Sequence, residues 1–192
     1  VMTCSALDDL AGARLFFKCE NLQKAGAFKI RGATNAVLSL SDAEAARGVV
    51  THSSGNHAAA LALAARRRGI RAWVVMPSNT PEIKRQAVAA YGAEITYCEP
   101  TLAAREAAAS SIIARTGAIL IHPFDDDRII AGQGTAALEF LEDVPELDFI
   151  LAPVSGGGLL SGTAVAAKSL RPQIRVIGCE PKNADDAYRS LA

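Results

Sequence analysis

The sequence has no excess of charge of either sign, since 20 Lys and Arg residues balance 20 Asp and Glu residues in a chain of 192. Proteins that bind nucleic acid usually carry a basic face that contacts the phosphates. The densest basic run, Arg66-Arg67-Arg68, stands where a predicted helix ends, and cations suit that position because the helix dipole is negative there. We therefore expect no nucleic-acid partner.

The sequence also lacks long apolar runs and paired cysteines. No segment approaches the roughly 20 apolar residues that span a bilayer. The cysteines form no CxxC pair and have no histidine at zinc spacing; they are Cys4, Cys19, Cys98 and Cys179. These absences predict reduced thiols, a cytoplasmic location and no membrane partner.

What the sequence does contain is a regular alternation of short β-branched runs and alanine-rich helical stretches. The alternation begins near Gly48 and predicts parallel sheets covered by helices. We expect an α/β fold with two open parallel-sheet domains: a small domain of residues 48–125, and a large domain made of residues 1–47 and 126–192. Residues 1–47 are predicted to pack with the second α/β unit and not with the first.

Local signals mark the ends of several helices. Ser41 and Glu44 have the spacing of a capping box. Thr80 followed by Pro81 predicts an N-cap residue and a first helical position. After a run of aspartates, the next helix is predicted to begin at about Gly132.

The segment Ser155-Gly156-Gly157-Gly158 lies between a predicted strand and a predicted helix. Glycines let a phosphate approach the backbone N–H groups of a helix N-terminus, where the helix dipole favours an anion. A tight turn that needs glycine is one alternative. A dinucleotide site is another, because Glu180 follows roughly 20 residues later, but Ser161 occupies the third glycine position of the G-x-G-x-x-G pattern.

A second polar loop, residues 52–57, follows a predicted strand and precedes a helix. Ligands of open α/β sheets bind at this edge. Ser53, Ser54 and Asn56 surround a glycine there, so backbone donors are available for a carboxylate and side chains for proton transfer. The alternative is that these side chains only cap the following helix.

Lys29 is flanked by small and apolar residues. A surface position is ordinary for a lysine. Burial beside Arg31 would lower the pKa of Lys29 if both side chains shared a dry pocket, and a lysine with a lowered pKa is a better nucleophile. The local sequence leaves both interpretations open.

Together these segments resemble fold-type II pyridoxal-phosphate enzymes, which have the tryptophan synthase β-like fold, and within them the serine racemase and threonine dehydratase family. The resemblance extends over essentially the whole chain. The matching stretches are residues 16–20, 28–33, 51–57, 131–135, 153–159 and 180–186.

The resemblance implies how the cofactor is held. Lys29 would carry pyridoxal 5′-phosphate as a Schiff base, Phe28 would pack beside its ring, and Asn56 would contact the ring hydroxyl. The glycine segment would hold the phosphate. The implied cofactor-binding set is Phe28, Lys29, Asn56, Ser155, Gly156, Gly157 and Gly158.

By the same resemblance the substrate is a small amino acid, namely serine, threonine or hydroxyaspartate. The loop after the first strand would grip its carboxylate, and Arg105 would approach it when the small domain closes. The implied substrate-binding set is Ser53, Ser54, Gly55, Asn56, His57 and Arg105.

Ser54 distinguishes reactions within the family, because racemases carry serine at this position whereas threonine dehydratases usually carry alanine. The resemblance implies interconversion of L- and D-serine, in which Lys29 and Ser54 transfer the α-proton on opposite faces, with β-elimination to pyruvate and ammonia as a second reaction. The first alternative is a dehydratase of serine, threonine or 3-hydroxyaspartate. The second is a non-catalytic fragment that binds a nucleotide or phosphate.

Glu180, Ala184 and Asp186 match a divalent-metal site of the racemases. Two carboxylates and a carbonyl are hard oxygen ligands that suit Mg²⁺, Ca²⁺ or Mn²⁺, although acidic residues near a strand end more often simply face solvent. The resemblance also implies ATP as an activator and a homodimer. Because members of the family are considerably longer, we expect this chain to be a fragment with an incomplete large domain.

Overall fold

The computed structural model describes residues 1–191 and has the α/β fold that the sequence predicts. The helices are α1 (Ser5–Ala11), α2 (Lys29–Leu38), α3 (Asp42–Arg47), α4 (Asn56–Arg68), α5 (Glu82–Ala90), α6 (Leu102–Thr116), α7 (Asp127–Asp143), α8 (Gly158–Leu170) and α9 (Asp186–Arg189). The strands are β1 (Val49–His52), β2 (Ala72–Pro77), β3 (Glu94–Cys98), β4 (Ile119–Leu120), β5 (Phe149–Pro153) and β6 (Arg175–Cys179). Short 3₁₀ turns at Glu20–Leu22 and Lys24–Gly26 precede α2.

One parallel sheet joins β3, β2, β1 and β4 in that order. Val49 pairs with Ala72 on one side and with Ile119 on the other. Every residue of β1 and β2 is buried, because helices cover both faces of a parallel sheet. The carboxyl ends of β1 and β4 therefore lie side by side.

A second parallel pair joins β5 to β6, with Phe149 opposite Arg175. These two sheets confirm the predicted fold class. The division into domains at residues 48 and 125 stays a prediction. Within the part of the chain that the structure describes, no helix is long and apolar enough to cross a membrane.

Residues 1–47 pack differently from the prediction. Ala33 and Val37 of α2 belong to one buried cluster with Leu61 of α4 and Ile121 after β4, which are parts of the first α/β unit, and with Ile129 of α7. The prediction that this segment packs only with the second unit is therefore wrong. Helix α2 lies between the two units because its apolar residues occupy more than one face of the helix.

Side chains from the first unit also hold the C-terminal end of α2. Arg68, the last residue of α4, donates to the carbonyl of Leu40 at 2.7 Å and to the carbonyl of Val37. The basic cluster at the end of α4 thus supplies hydrogen bonds to a neighbouring helix, where carbonyls lack intrahelical partners.

Of three local predictions about helix ends, one is confirmed and two are wrong. The capping box of Ser41 and Glu44 is confirmed. The N-cap prediction for Thr80 is wrong, because its hydroxyl donates to the Pro77 carbonyl at 2.7 Å and Pro81 is the cap residue. Helix α7 begins at Asp127, earlier than predicted, because the Asp126 carboxylate accepts the N–H of Arg128.

Helix α7 touches α2 and α8 through glycines. A Cβ atom on Gly132 would lie 2.5 Å from the Cα of Gly32 in α2. A Cβ atom on Gly134 would lie 2.7 Å from the carbonyl oxygen of Gly162 in α8. Backbone therefore packs directly on backbone at both crossings, which leaves no room for a side chain at these glycine positions.

Substituting Gly132 by alanine is expected to destabilise the protein, because the new methyl group meets backbone atoms that cannot move aside. Overpacking of this kind costs about 1–3 kcal/mol, and we expect the upper end of that range. Urea unfolding measures the loss.

The matched control is Gly55→Ala. Gly55 has φ of −120°, and no atom of the described residues lies within 4 Å of its Cβ position. Equal stability losses in the two variants would contradict the close helix crossing.

Candidate active site

Lys29 is the first residue of α2, and its amine is directed toward the edge of the larger sheet. The Nζ atom donates to the carbonyl oxygen of Pro123 at 2.6 Å and lies 5.3 Å from the centroid of the Phe28 ring. Burial lowers the pKa of Lys29, since a charged amine is poorly solvated there. A larger fraction of the amine is therefore neutral and nucleophilic than in an exposed lysine.

Arg31 does not lower the pKa of Lys29, because its guanidinium is engaged elsewhere. It forms ion pairs with Glu20 at 2.7 Å and with Glu139 of α7 at 2.6 Å. The hydrogen bond from Arg31 is the main cause that holds the pKa of Glu139 at about 2. This network ties the turns before Lys29 to α7.

The segment His122-Pro123-Phe124 connects the separate parts of the site. Pro123 accepts the Lys29 amine, and the next residue, Phe124, lies against the glycine loop: a Cβ atom on Gly158 would be 2.7 Å from the Phe124 carbonyl oxygen. The His122 ring packs edge-on against Phe124 and His52, with centroid distances of 4.6 and 5.6 Å. None of these three residues is among the predicted site residues, although their position just after β4 is a usable signal.

The loop Ser155 to Gly158 has the features of an anion site. Gly157 has φ of +87°, a conformation that favours glycine, and Gly158 opens α8. Within residues 1–191, the N–H groups of Gly156, Gly157 and Leu159 have no hydrogen-bond acceptor. Free N–H groups at a helix N-terminus fit the phosphate of pyridoxal phosphate.

Gly156 and Gly158 also have a packing role. A Cβ atom on Gly156 would lie 2.7 Å from Cε1 of Phe124, so a larger residue would displace the aromatic ring. The glycines are thus required by the close approach of Phe124 as well as by the free N–H groups. The turn interpretation applies to this loop, and the phosphate interpretation is compatible with the same geometry.

The loop after β1 lies next to the Lys29 region. The Ser53 hydroxyl accepts the N–H of Gly55 at 3.3 Å, and Asn56 is exposed as the first residue of α4. Ser54 is half-buried. It lines a cavity of about 290 Å³ together with Arg105, His52, His122 and Pro123. Pro123 thus contributes to this cavity while its carbonyl holds the Lys29 amine.

His57 lies apart from that cavity. Its side chain is 2% exposed, and Nε2 lies 3.3 Å from the carbonyl oxygen of Ile121. Burial, followed by the charge of Lys29, lowers the pKa of His57 to about 3. The imidazole is therefore neutral and turned into the core, so any contact with a substrate would involve its backbone.

The predicted metal ligands are not assembled into an open site. Both carboxylate oxygens of Glu180 accept N–H groups at 3.2 Å, one from Ala187 and one from Tyr188. Asp186 opens α9, and Ala184 is exposed. As far as the structure describes the chain, no group of three or more His, Cys, Asp or Glu side chains could hold a metal ion. A metal ion at Glu180 would share these carboxylate oxygens with the N–H groups of α9.

A family model for pyridoxal-phosphate dependent enzymes matches residues 1–192. A serine racemase of Arabidopsis thaliana is 57% identical over 190 residues, which are 99% of this chain and 57% of the relative. A β-hydroxyaspartate dehydratase of Paracoccus denitrificans is 54% identical over 191 residues, which are 100% of this chain and 61% of the relative. The crystal structure of a serine racemase from Dictyostelium discoideum superimposes with a TM-score of 0.97 at 54% identity, over 100% of this chain and 62% of that one.

The chain therefore spans 57% to 62% of the length of these similar proteins.

Replacing His57 by glutamine is expected to reduce the loss of stability at acid pH. The pKa of folded His57 is about 3, whereas an unfolded histidine has a pKa of about 6.5. Between these values only the unfolded chain binds the proton, so the free energy of unfolding falls as the pH falls, by up to ~1.4 kcal/mol per pH unit.

Urea unfolding of both proteins across this pH range measures the two slopes. Above a pH of about 7 His57 is neutral in both states, so the slopes there should agree and serve as the internal control. Identical slopes in the acid range would contradict a buried neutral imidazole.

Proposed function

Because the chain belongs to the family of pyridoxal-phosphate dependent enzymes, we propose that it provides the catalytic core of an enzyme that interconverts L- and D-serine and also eliminates water from serine. The observation that carries the proposal is the convergence at His122-Pro123-Phe124. This segment contacts the Lys29 amine, the glycine loop and the cavity that contains Ser54. An amine, a glycine loop with free N–H groups and a hydroxyl therefore lie around one segment of the chain.

The cofactor would be held by groups that are otherwise without partners. The free N–H groups of Gly156 to Leu159 would receive its phosphate, with Ser155 beside them, and Lys29 would bind it covalently. Phe28, which adjoins the Lys29 amine, would pack against its ring. Asn56, at the start of α4, would reach its hydroxyl. When bound, pyridoxal phosphate supplies an electron sink that weakens the bonds of the substrate α-carbon.

Lys29 and Ser54 would handle the α-proton on opposite faces of the substrate. The lowered pKa of Lys29 increases the fraction of Nζ that is neutral and able to act as a base. The Ser54 hydroxyl lines the cavity beside Pro123, whose carbonyl accepts the Lys29 amine. The Nζ atom would remove the proton from one face, and the Ser54 Oγ atom would deliver a proton to the other.

The substrate carboxylate would bind at the loop of residues 53–57 through backbone N–H groups and the hydroxyl of Ser53. Arg105 of α6 places a positive charge at the same cavity, which it lines together with Ser53 and Ser54. Among the side chains of the loop, that of His57 is turned away from the cavity. We therefore assign His57 a role through its backbone only.

A dehydratase of serine, threonine or 3-hydroxyaspartate is the second candidate. Its support is the Paracoccus denitrificans β-hydroxyaspartate dehydratase, at 54% identity. The partly buried Lys29 amine is linked to the glycine loop through Pro123 and Phe124, and its lowered pKa favours a nucleophile over the charged amine that a non-catalytic phosphate-binding domain would use.

The remaining properties rest on the resemblance alone. These are a divalent metal (Mg²⁺, Ca²⁺ or Mn²⁺) at Glu180, Ala184 and Asp186, ATP as an activator, a homodimer and a cytoplasmic location. The Glu180 oxygens already accept the N–H groups of Ala187 and Tyr188, so a metal there would use their remaining lone pairs.

Lys29→Ala is expected to abolish covalent cofactor binding. After incubation with pyridoxal phosphate and reduction with borohydride, peptide mass spectrometry should find a pyridoxyl group on Lys29 in the wild-type protein and none in the variant. Lys24→Ala is the control, because Lys24 is an exposed lysine nearby and its loss should leave the label unchanged. Labelling of another lysine with Lys29 unmodified would refute the proposed role.

Ser54→Ala is expected to separate the two reactions. Loss of an acid–base group typically lowers a rate by about 10² to 10⁴, so D-serine formation from L-serine should fall at least 100-fold while pyruvate formation continues. Chiral chromatography and a keto-acid assay measure the two products. Ser110→Ala, an exposed hydroxyl of α6, is the control.

If the wild-type protein released keto acid without forming D-serine, the dehydratase would replace the racemase as the assigned function. If Ser54→Ala retained full D-serine formation, Ser54 would not be the second acid–base group.

A further inference from the structure

The motif Gly132-Gln133-Gly134 has no role in the function proposed above. Its two glycines allow the helix crossings with α2 and α8. Gln133 between them is 0% exposed. A polar side chain completely buried at a contact between helices calls for a physical explanation, since an apolar residue would fill the same space without desolvating an amide.

The first turn of α2 explains what Gln133 does. The N–H groups at the start of a helix have no acceptor within the helix. Those of Ile30 and Arg31 bond to the carbonyls of Ala27 and Phe28, at 3.4 and 3.0 Å. The next N–H, that of Gly32, donates instead to Oε1 of Gln133 at 3.1 Å. A side chain from α7 thus caps the helix that begins with Lys29.

The two glycines make this bond possible. Because Gly32 and Gly132 have no side chains, the helix axes approach until a Cβ on Gly32 would lie 2.5 Å from the Gln133 amide nitrogen. Lys29 is three residues before Gly32, so both belong to the same turn and lie on neighbouring positions of the helix surface. A hydrogen bond to Gly32 therefore acts on the turn that presents the lysine.

Gln133 occupies this position although its amide nitrogen is unpaired among the described residues. Within the described part of the chain, the buried Nε2 atom has no hydrogen-bond partner. Such an atom is destabilising, so the amide is poorly suited to a role in stability alone. Its acceptor oxygen, in contrast, meets an N–H group that no other residue satisfies.

We propose that Gln133 is a positioning residue for Lys29, holding the first turn of α2 so that the amine is aimed at the carboxyl edge of the larger sheet. The inference rests on the proposed function, in which Lys29 is the covalent attachment point. Arg68 holds the other end of α2 through the carbonyls of Val37 and Leu40. Gln133 and Arg68 together fix the helix at both ends.

The test uses two substitutions and one matched control. Gln133→Met keeps the length of the side chain and removes the acceptor. Gln133→Glu keeps an acceptor oxygen facing Gly32. The control is Asn35→Leu, which removes the 2.7 Å bond from Asn35 Nδ2 to the Arg128 carbonyl in the same pair of helices, one turn farther from Lys29.

Two readouts report on Lys29. In the cofactor-free protein, the rate of amine labelling by trinitrobenzenesulfonate, followed at Lys29 by mass spectrometry, reports on its exposure and pKa. In the loaded protein, the pH midpoint of the visible absorbance band of lysine-bound pyridoxal phosphate reports on the setting of the same nitrogen. Thermal unfolding accompanies both.

Gln133→Met is expected to change the labelling rate of Lys29 and to shift the pH midpoint of the absorbance band. It should also lower kcat about tenfold or more with KM little changed, because small misplacements of a reacting group have large effects on rate. Gln133→Glu should restore the wild-type labelling rate. Asn35→Leu should lower the unfolding temperature without changing either Lys29 readout.

Equal changes at Lys29 in Gln133→Met and Asn35→Leu would overturn the proposal, since the bond would then contribute only to general stability. Unchanged readouts in Gln133→Met would overturn it as well. If the methionine variant fails to fold, the test rests on Gln133→Glu. A Lys29 labelling rate in Gln133→Glu that departs from the wild-type rate would then overturn the proposal. A wild-type protein that shows no visible band would refute the proposed function instead, and the labelling rates would still judge the role of Gln133.

Discussion

The structure depends on the direct contact of three helices through their backbones. Gly132 of α7 meets Gly32 of α2, and Gly134 of α7 meets Gly162 of α8. Helix α2 begins with Lys29, and α8 begins at the glycine loop. The distance between the Lys29 amine and the glycine loop is thus set by backbone contacts, which are far less adaptable than contacts between side chains.

The chemical character of Lys29 follows from where this packing places it. Burial disfavours its charged form. The Pro123 carbonyl offers one compensating hydrogen bond at 2.6 Å. Glu20 and Glu139 are paired with Arg31. They therefore do not stabilise the charged form of Lys29. The fold therefore holds the amine in a state that favours covalent chemistry.

Periodic and local signals predicted much of this molecule. The fold class followed from alternating strand and helix patterns, and the glycine loop from its position between β5 and α8. Two local errors had a common cause: the side chain of Asp126 starts α7 before the predicted position near Gly132, and Thr80 bonds backward to Pro77. In both cases the residue type was compatible with more than one hydrogen bond.

The site was harder to predict because it is assembled by residues distant in sequence. No local pattern indicates that Pro123 accepts Lys29 or that Gln133 caps α2, since those contacts span about a hundred residues. Arg68 also links two separate parts of the chain. It belongs to the segment of residues 48–125, yet it closes the helix that carries Lys29, so a chimaera that exchanges this segment with that of a relative must retain an arginine there to keep α2 intact.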